Sequence, residues 1–77
     1  MNKKIKLIWD FRGADALETS KHHTKHLKEF AAIEELSYHD VGTKQLSSVV
    51  AYAYVIVDEK NMMTYRDALK PHRGEIA

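Results

Sequence analysis

Five histidines stand among the 77 residues, and His22, His23 and His26 fall close together in one stretch. On a helix, His22 and His26 are related as i, i+4, and His23 and His26 as i, i+3, so either pair can share a face. Two neutral imidazoles one turn apart supply half of a tetrahedral zinc or iron site. A third ligand must come from elsewhere; Glu18, Glu29, His39 and His72 are the candidates. The His-Glu-x-x-His spacing of the metalloproteases is absent. The simpler reading leaves His22 in water and packs the His23 ring over a sheet with one hydrogen bond.

The other two histidines suggest proton transfer. His39 stands between Tyr38 and Asp40, and His72 follows Pro71, with Tyr65 seven positions earlier. A histidine beside a tyrosine can polarise a carbonyl or accept a proton, because imidazole titrates near neutrality. On that reading His39, His72 and Tyr65 are the catalytic candidates, and Trp9, Tyr52 and Tyr54 line an apolar ligand cavity. The plainer alternative makes the tyrosines half-buried interface anchors and His39 an edge-strand residue. Arg12-Gly13, placed between a strand and a helix, suits an anion at a helix N-terminus. It equally suits a capping turn whose Arg12 pairs with Asp10 or Asp15. Met62 and Met63 read as core filler.

The element that must position these groups is Val49–Val57, the longest uncharged apolar run. It is β-branched and aromatic, so it reads as a strand. Its odd positions (Val49, Ala51, Ala53, Val55, Val57) are small and its even positions (Val50, Tyr52, Tyr54, Ile56) larger. Neither face carries a charge before Asp58, so both need cover. Lys4–Phe11 alternates, with Ile5, Leu7, Trp9 and Phe11 on one face. Ala14 to about Leu36 has helical composition. Ala16, Thr19, Ser20, His23, Leu27, Phe30 and Ala31 fall on one side of that helix. Ser37–Thr43 reads as a short second strand, and Lys44–Ser48 as its polar connection to the third. A second helix begins near Asp58 or Asn61, turns Met62, Tyr65 and Leu69 inward, and stops before Pro71. Residues 72–77 read as a polar tail.

The order β-α-β-β-α fits one α+β domain over residues 1–77, with a ferredoxin-like, three-stranded sheet. A crossover rule suggests strands one and three as parallel neighbours and strand two as antiparallel to three. Two helices cover one face of such a sheet, and the bare face predicts dimerisation through it. The formal net charge of +1 does not point to nucleic acid. No stretch has the roughly 18–20 apolar residues that span a membrane. The absence of cysteine excludes disulfides and thiolate metal sites. Leu7-Ile8-Trp9 is interrupted by Asp10 before it can form a signal peptide, so the expected location is cytoplasmic.

Three segments in order, 37–42 (SYHDVG), 51–59 (AYAYVIVDE) and 63–72 (MTYRDALKPH), resemble the dimeric α/β-barrel superfamily, in its stress-responsive branch. Tyr65, Pro71 and His72 stand at the matching positions of that branch's helix-two ending. This chain lacks the branch's strand-one histidine and ends without its fourth strand. The resemblance implies a homodimer with sheets facing each other around a small apolar cavity. The expected role is binding of a small apolar or aromatic molecule between subunits, with no cofactor. A cofactor-free oxygenase, cyclase or isomerase using His and Tyr, and a metal-binding protein using the helix-one histidines, are the alternatives.

Overall fold

The computed structural model describes residues 3–77. The elements run β1 (Lys4–Arg12), α1 (Ala16–Ile33), β2 (Asp40–Ser47), β3 (Val50–Asp58), α2 (Glu59–Leu69) and β4 (Arg73–Ile76). The strands form one four-stranded sheet in the order β2-β3-β1-β4, with every neighbouring pair antiparallel.

Two expectations are corrected. β1 and β3 are antiparallel, not parallel, in a register that sets Leu7 against Val55 and Trp9 against Ala53. The crossover through α1 makes β1 parallel to β2, not to β3. The chain then reverses in a hairpin, and β3 enters the gap between β1 and β2, antiparallel to both. The sheet also has four strands rather than three, because residues 73–76 pair with β1 along Ile5–Ile8. What reads as a polar tail is thus an outer strand, and the fourth strand expected to be missing is present. Arg73 and Glu75 point to one face, and Gly74 and Ile76 to the other. With one apolar side chain in four residues, β4 carries no visible alternation of its own.

β2 lies later than Ser37–Thr43. Its polar residues Lys44, Gln45 and Ser47 continue the ladder against β3, with a bulge between Gln45 and Ser47. As an outer strand with exposed side chains at Lys44–Ser47, it needs no apolar periodicity; the pairing potential of β3 defines it.

Both helices cover one sheet face. Leu7, Trp9, Leu27, Ala31, Ala53, Val55, Val57 and Tyr65 form the core there, with Phe11, Phe30, Leu36, Val41, Met62 and Leu69 packed around it. The small odd positions of β3 are the ones under the helices: Ala51 and Ala53 admit the helices closely, and both are fully buried. The ring of Phe30 meets that of Tyr65, centroid to centroid 5.5 Å, which joins the two helices across the core. Thr24 Oγ1 lies 2.8 Å from Thr43 Oγ1 and ties α1 to the outer strand β2.

The helix ends use unusual residues. α1 stops where Glu35 takes a left-handed conformation (φ 55°). The Leu36 N–H then donates to the Ala31 carbonyl at 2.9 Å and the Glu35 N–H to that of Ala32 at 3.3 Å. This is the bonding pattern of a Schellman cap, usually built on glycine. Lys70 (φ 50°) closes α2 in the same region, ahead of Pro71. Asp58 holds the N-cap position of α2 but makes no side-chain capping bond.

Candidate functional site

The helix-free face of the sheet gathers the largest set of interacting polar and aromatic side chains. Alternation along β1 sends Lys6, Ile8 and Asp10 to this face. Their β3 partners are Ile56, Tyr54 and Tyr52; the β4 partners of Lys6 and Ile8 are Glu75 and Arg73.

Two rings form the floor. Tyr52 and Tyr54 stand 6.0 Å apart between centroids in an edge arrangement. The Lys6 ammonium lies 5.1 Å from the Tyr52 centroid and 4.7 Å from that of Tyr54, and donates to the Tyr52 hydroxyl at 3.1 Å. Such cation–ring contacts stabilise by about 0.5–1 kcal/mol at exposed sites. Arg73 reaches over Tyr52 from the other edge, 5.7 Å from its centroid. Its guanidinium grips Asp10 through two bonds, Nε to Oδ2 at 3.0 Å and Nη2 to Oδ1 at 3.1 Å, and a third goes to Glu75 at 3.2 Å. The forked geometry is the stronger form of such a pair. Asp10 therefore serves β4, not Arg12.

These side chains roof part of the apolar surface. Tyr52 is 7% exposed and Ile8 1%, although no helix covers either. Val50, Tyr54 and Ile56 remain half-buried. Tyr54 extends toward β2, where its hydroxyl donates to Asp40 Oδ2 at 3.1 Å. Burial, and then that bond, raises its pKa above 10.0. Gly42 makes this path available: a Cβ there would stand 3.0 Å from the Tyr54 hydroxyl and 3.2–3.3 Å from the ring. At the same end, His39 Nε2 and Asp58 Oδ1 are 2.7 Å apart, and that hydrogen bond is the main cause of a lowered Asp58 pKa.

The remaining candidates are distributed over the molecule. Trp9 is on the opposite side of the sheet from Tyr52 and Tyr54, 3% exposed, with its Nε1–H donating to the Leu69 carbonyl at 2.8 Å. Tyr65 is fully buried in the core; its hydroxyl donates to the Ser37 carbonyl at 3.3 Å, and burial raises its pKa. His72 precedes β4 and accepts the Asp10 N–H at Nδ1, 2.9 Å, while His39 precedes β2 at the far edge. His39, His72 and Tyr65 thus occupy two opposite sheet edges and the core, and do not converge on one another.

On α1, His23 points inward between Trp9 and Phe11, with centroids 4.9 and 5.7 Å away. His22 and His26 face water, their Nε2 atoms 2.9 Å apart. Among the described residues no group of three or more His, Cys, Asp or Glu is placed to hold a metal ion. A cleft of about 370 Å³ lies between α2 and β4, with Ile5, Leu7, Met62 and Ile76 inside and Arg66 at its rim. Among the described residues no helix is long and apolar enough to cross a membrane.

The long-range pairs Lys6–Tyr52, Arg73–Asp10 and His39–Asp58 carry no signal in the sequence, since each depends on strand register. No family model, curated protein or solved structure matches this chain.

Proposed function

We propose that the chain is a ferredoxin-like binding module of the dimeric α/β-barrel type that pairs with a second copy through the helix-free face. The two sheets would hold a small apolar or aromatic molecule against the half-buried Tyr54 and Ile56, with Tyr52 lying beneath Lys6 and Arg73. The observation that supports this reading is the composition of that face. Val50, Tyr54 and Ile56 stay half-buried beside Lys6, Arg73, Asp10, Asp40 and Glu75, which nearly balance in charge. A surface of mixed sign with an apolar seam suits a copy of itself better than it suits a polyanion. In a two-fold dimer this patch meets itself, so a face that carries both signs can be self-complementary.

Sedimentation equilibrium of the untagged protein tests the pairing. The expected mass is twice that of the 8.9 kDa chain. Ile56→Glu, which places a charge on the seam without touching the helix side, is expected to leave a folded monomer. A wild-type protein that sediments as one chain at about 100 μM, where a dimer of roughly micromolar Kd would be largely formed, removes this proposal.

A further inference from the structure

The outer face of α1 carries a second arrangement, independent of the sheet. His22 and His26 are both exposed, and their rings meet edge-on at 85°, with centroids 4.5 Å apart. Their Nε2 atoms converge to 2.9 Å. On its other side, His26 Nδ1 faces the Glu29 carboxylate at 3.4 Å.

We propose that His22 and His26 form a two-imidazole site for a divalent transition-metal ion, copper(II) ahead of nickel(II) and zinc(II). Three lines of geometry and chemistry lead there. First, the Glu29 carboxylate favours the proton on His26 Nδ1, which leaves the Nε2 lone pair of that ring free. This is the tautomer and the carboxylate–histidine relay that metal ligands use. His22 Nε2 then supplies the proton now lying between the rings. Metal entry needs that one proton to move to His22 Nδ1, with no net change in charge on the protein.

Second, the two nitrogens already meet. The 2.9 Å separation is that of an N–H···N hydrogen bond; with the proton gone, the same two nitrogens are close enough for one ion to bind both at about 2.0–2.1 Å. Third, imidazole nitrogen suits these ions, and affinity at a given nitrogen site peaks at copper(II). Water fills the positions that the chain does not.

The test titrates untagged protein with copper(II), nickel(II) or zinc(II) chloride alone, following heat, thermal unfolding and, for copper, the electron paramagnetic resonance spectrum. The expected result is one copper(II) per chain with two nitrogen ligands in the spectrum. Affinity should fall in the order copper, nickel, zinc. The unfolding midpoint should rise by about 5 °C or more once metal stands tenfold above its dissociation constant. His22→Gln and His26→Gln should each weaken copper binding at least tenfold, and the double variant little further, because one ring alone cannot chelate. Circular dichroism of each variant checks that α1 is intact. Copper affinity unchanged in either single variant, or lost equally in His72→Gln, overturns the proposal, as does zinc binding tighter than copper.

Discussion

The Nε2 atom of His23 is buried without a hydrogen-bond partner, although the ring has aromatic contact with Trp9 and Phe11. Burial, and then the nearby His26, His72 and His22, lowers its pKa below the ordinary 6.5. The unfolded chain therefore takes up a proton at a pH where the folded chain does not. Stability from this residue is present above pH 6.5 and is lost as pH falls from there through the lowered folded value. His23→Leu keeps the bulk and deletes the unpaired nitrogen. It is expected to raise stability at pH 7.5 by about 1 kcal/mol and to remove this part of the acid slope. Urea denaturation at pH 7.5 and 5.5 measures both, and parallel slopes for variant and wild type would sink the account. Asp58 acts in a separate window: its lowered pKa keeps its contribution until pH falls below the ordinary carboxylate range.

At the scale of the element, the helix ends hold stored strain. Glu35 and Lys70 both adopt positive φ, which costs a residue with a side chain roughly 1–2 kcal/mol. The cap at Glu35 is nonetheless bonded as a glycine cap would be. Glu35→Gly relieves that strain and gives back part of the gain through the greater freedom of unfolded glycine. The expected net effect is a stabilisation of about 0.5–1 kcal/mol, or roughly 3–6 °C in the unfolding midpoint by calorimetry. A lower midpoint would mean that the Glu35 side chain does something the backbone does not reveal. The same residues explain why the helix reads too long in sequence. With no glycine or proline between Ala14 and Leu36, nothing local announces the stop; the core contact of Leu36 and the left-handed turn before it impose one.

For the molecule as a whole, the α+β class, the two helices on one face and the split of β3 into a small and a large side were all readable. Each rests on alternation within a single segment. The antiparallel β2–β3 hairpin was readable too; the direction of β1 against β3, β4 and the partners of Asp10 were not, because they depend on which segment lies beside which. Trp9 and Tyr52 illustrate the limit: both sit on apolar strands, and only the β1–β3 register, with Trp9 against Ala53, sends them to opposite faces. The histidines divided likewise. The i, i+4 relation of His22 and His26 is local and was visible, whereas the His39–Asp58 contact spans a hairpin and was not.

The central pairing of β1 with β3 sets position 4 against 58 and position 12 against 50, and this has a consequence for the order of events when the chain folds. The first strand, with Ile5, Leu7, Ile8, Trp9 and Phe11, is made before both of its strand partners and has no strand neighbour until residues 50–58 have followed. Closing so long a loop is the costly step in the folding of such topologies. Val55→Ala, at the centre of that pairing, should therefore slow refolding in stopped-flow records of Trp9 fluorescence, with less change in the unfolding rate; the reverse pattern would mean that α1 and its local contacts set the pace. During synthesis this greasy strand must wait, unpaired, until residues 50–58 have been made, an interval in which its apolar side chains are open to off-pathway contacts.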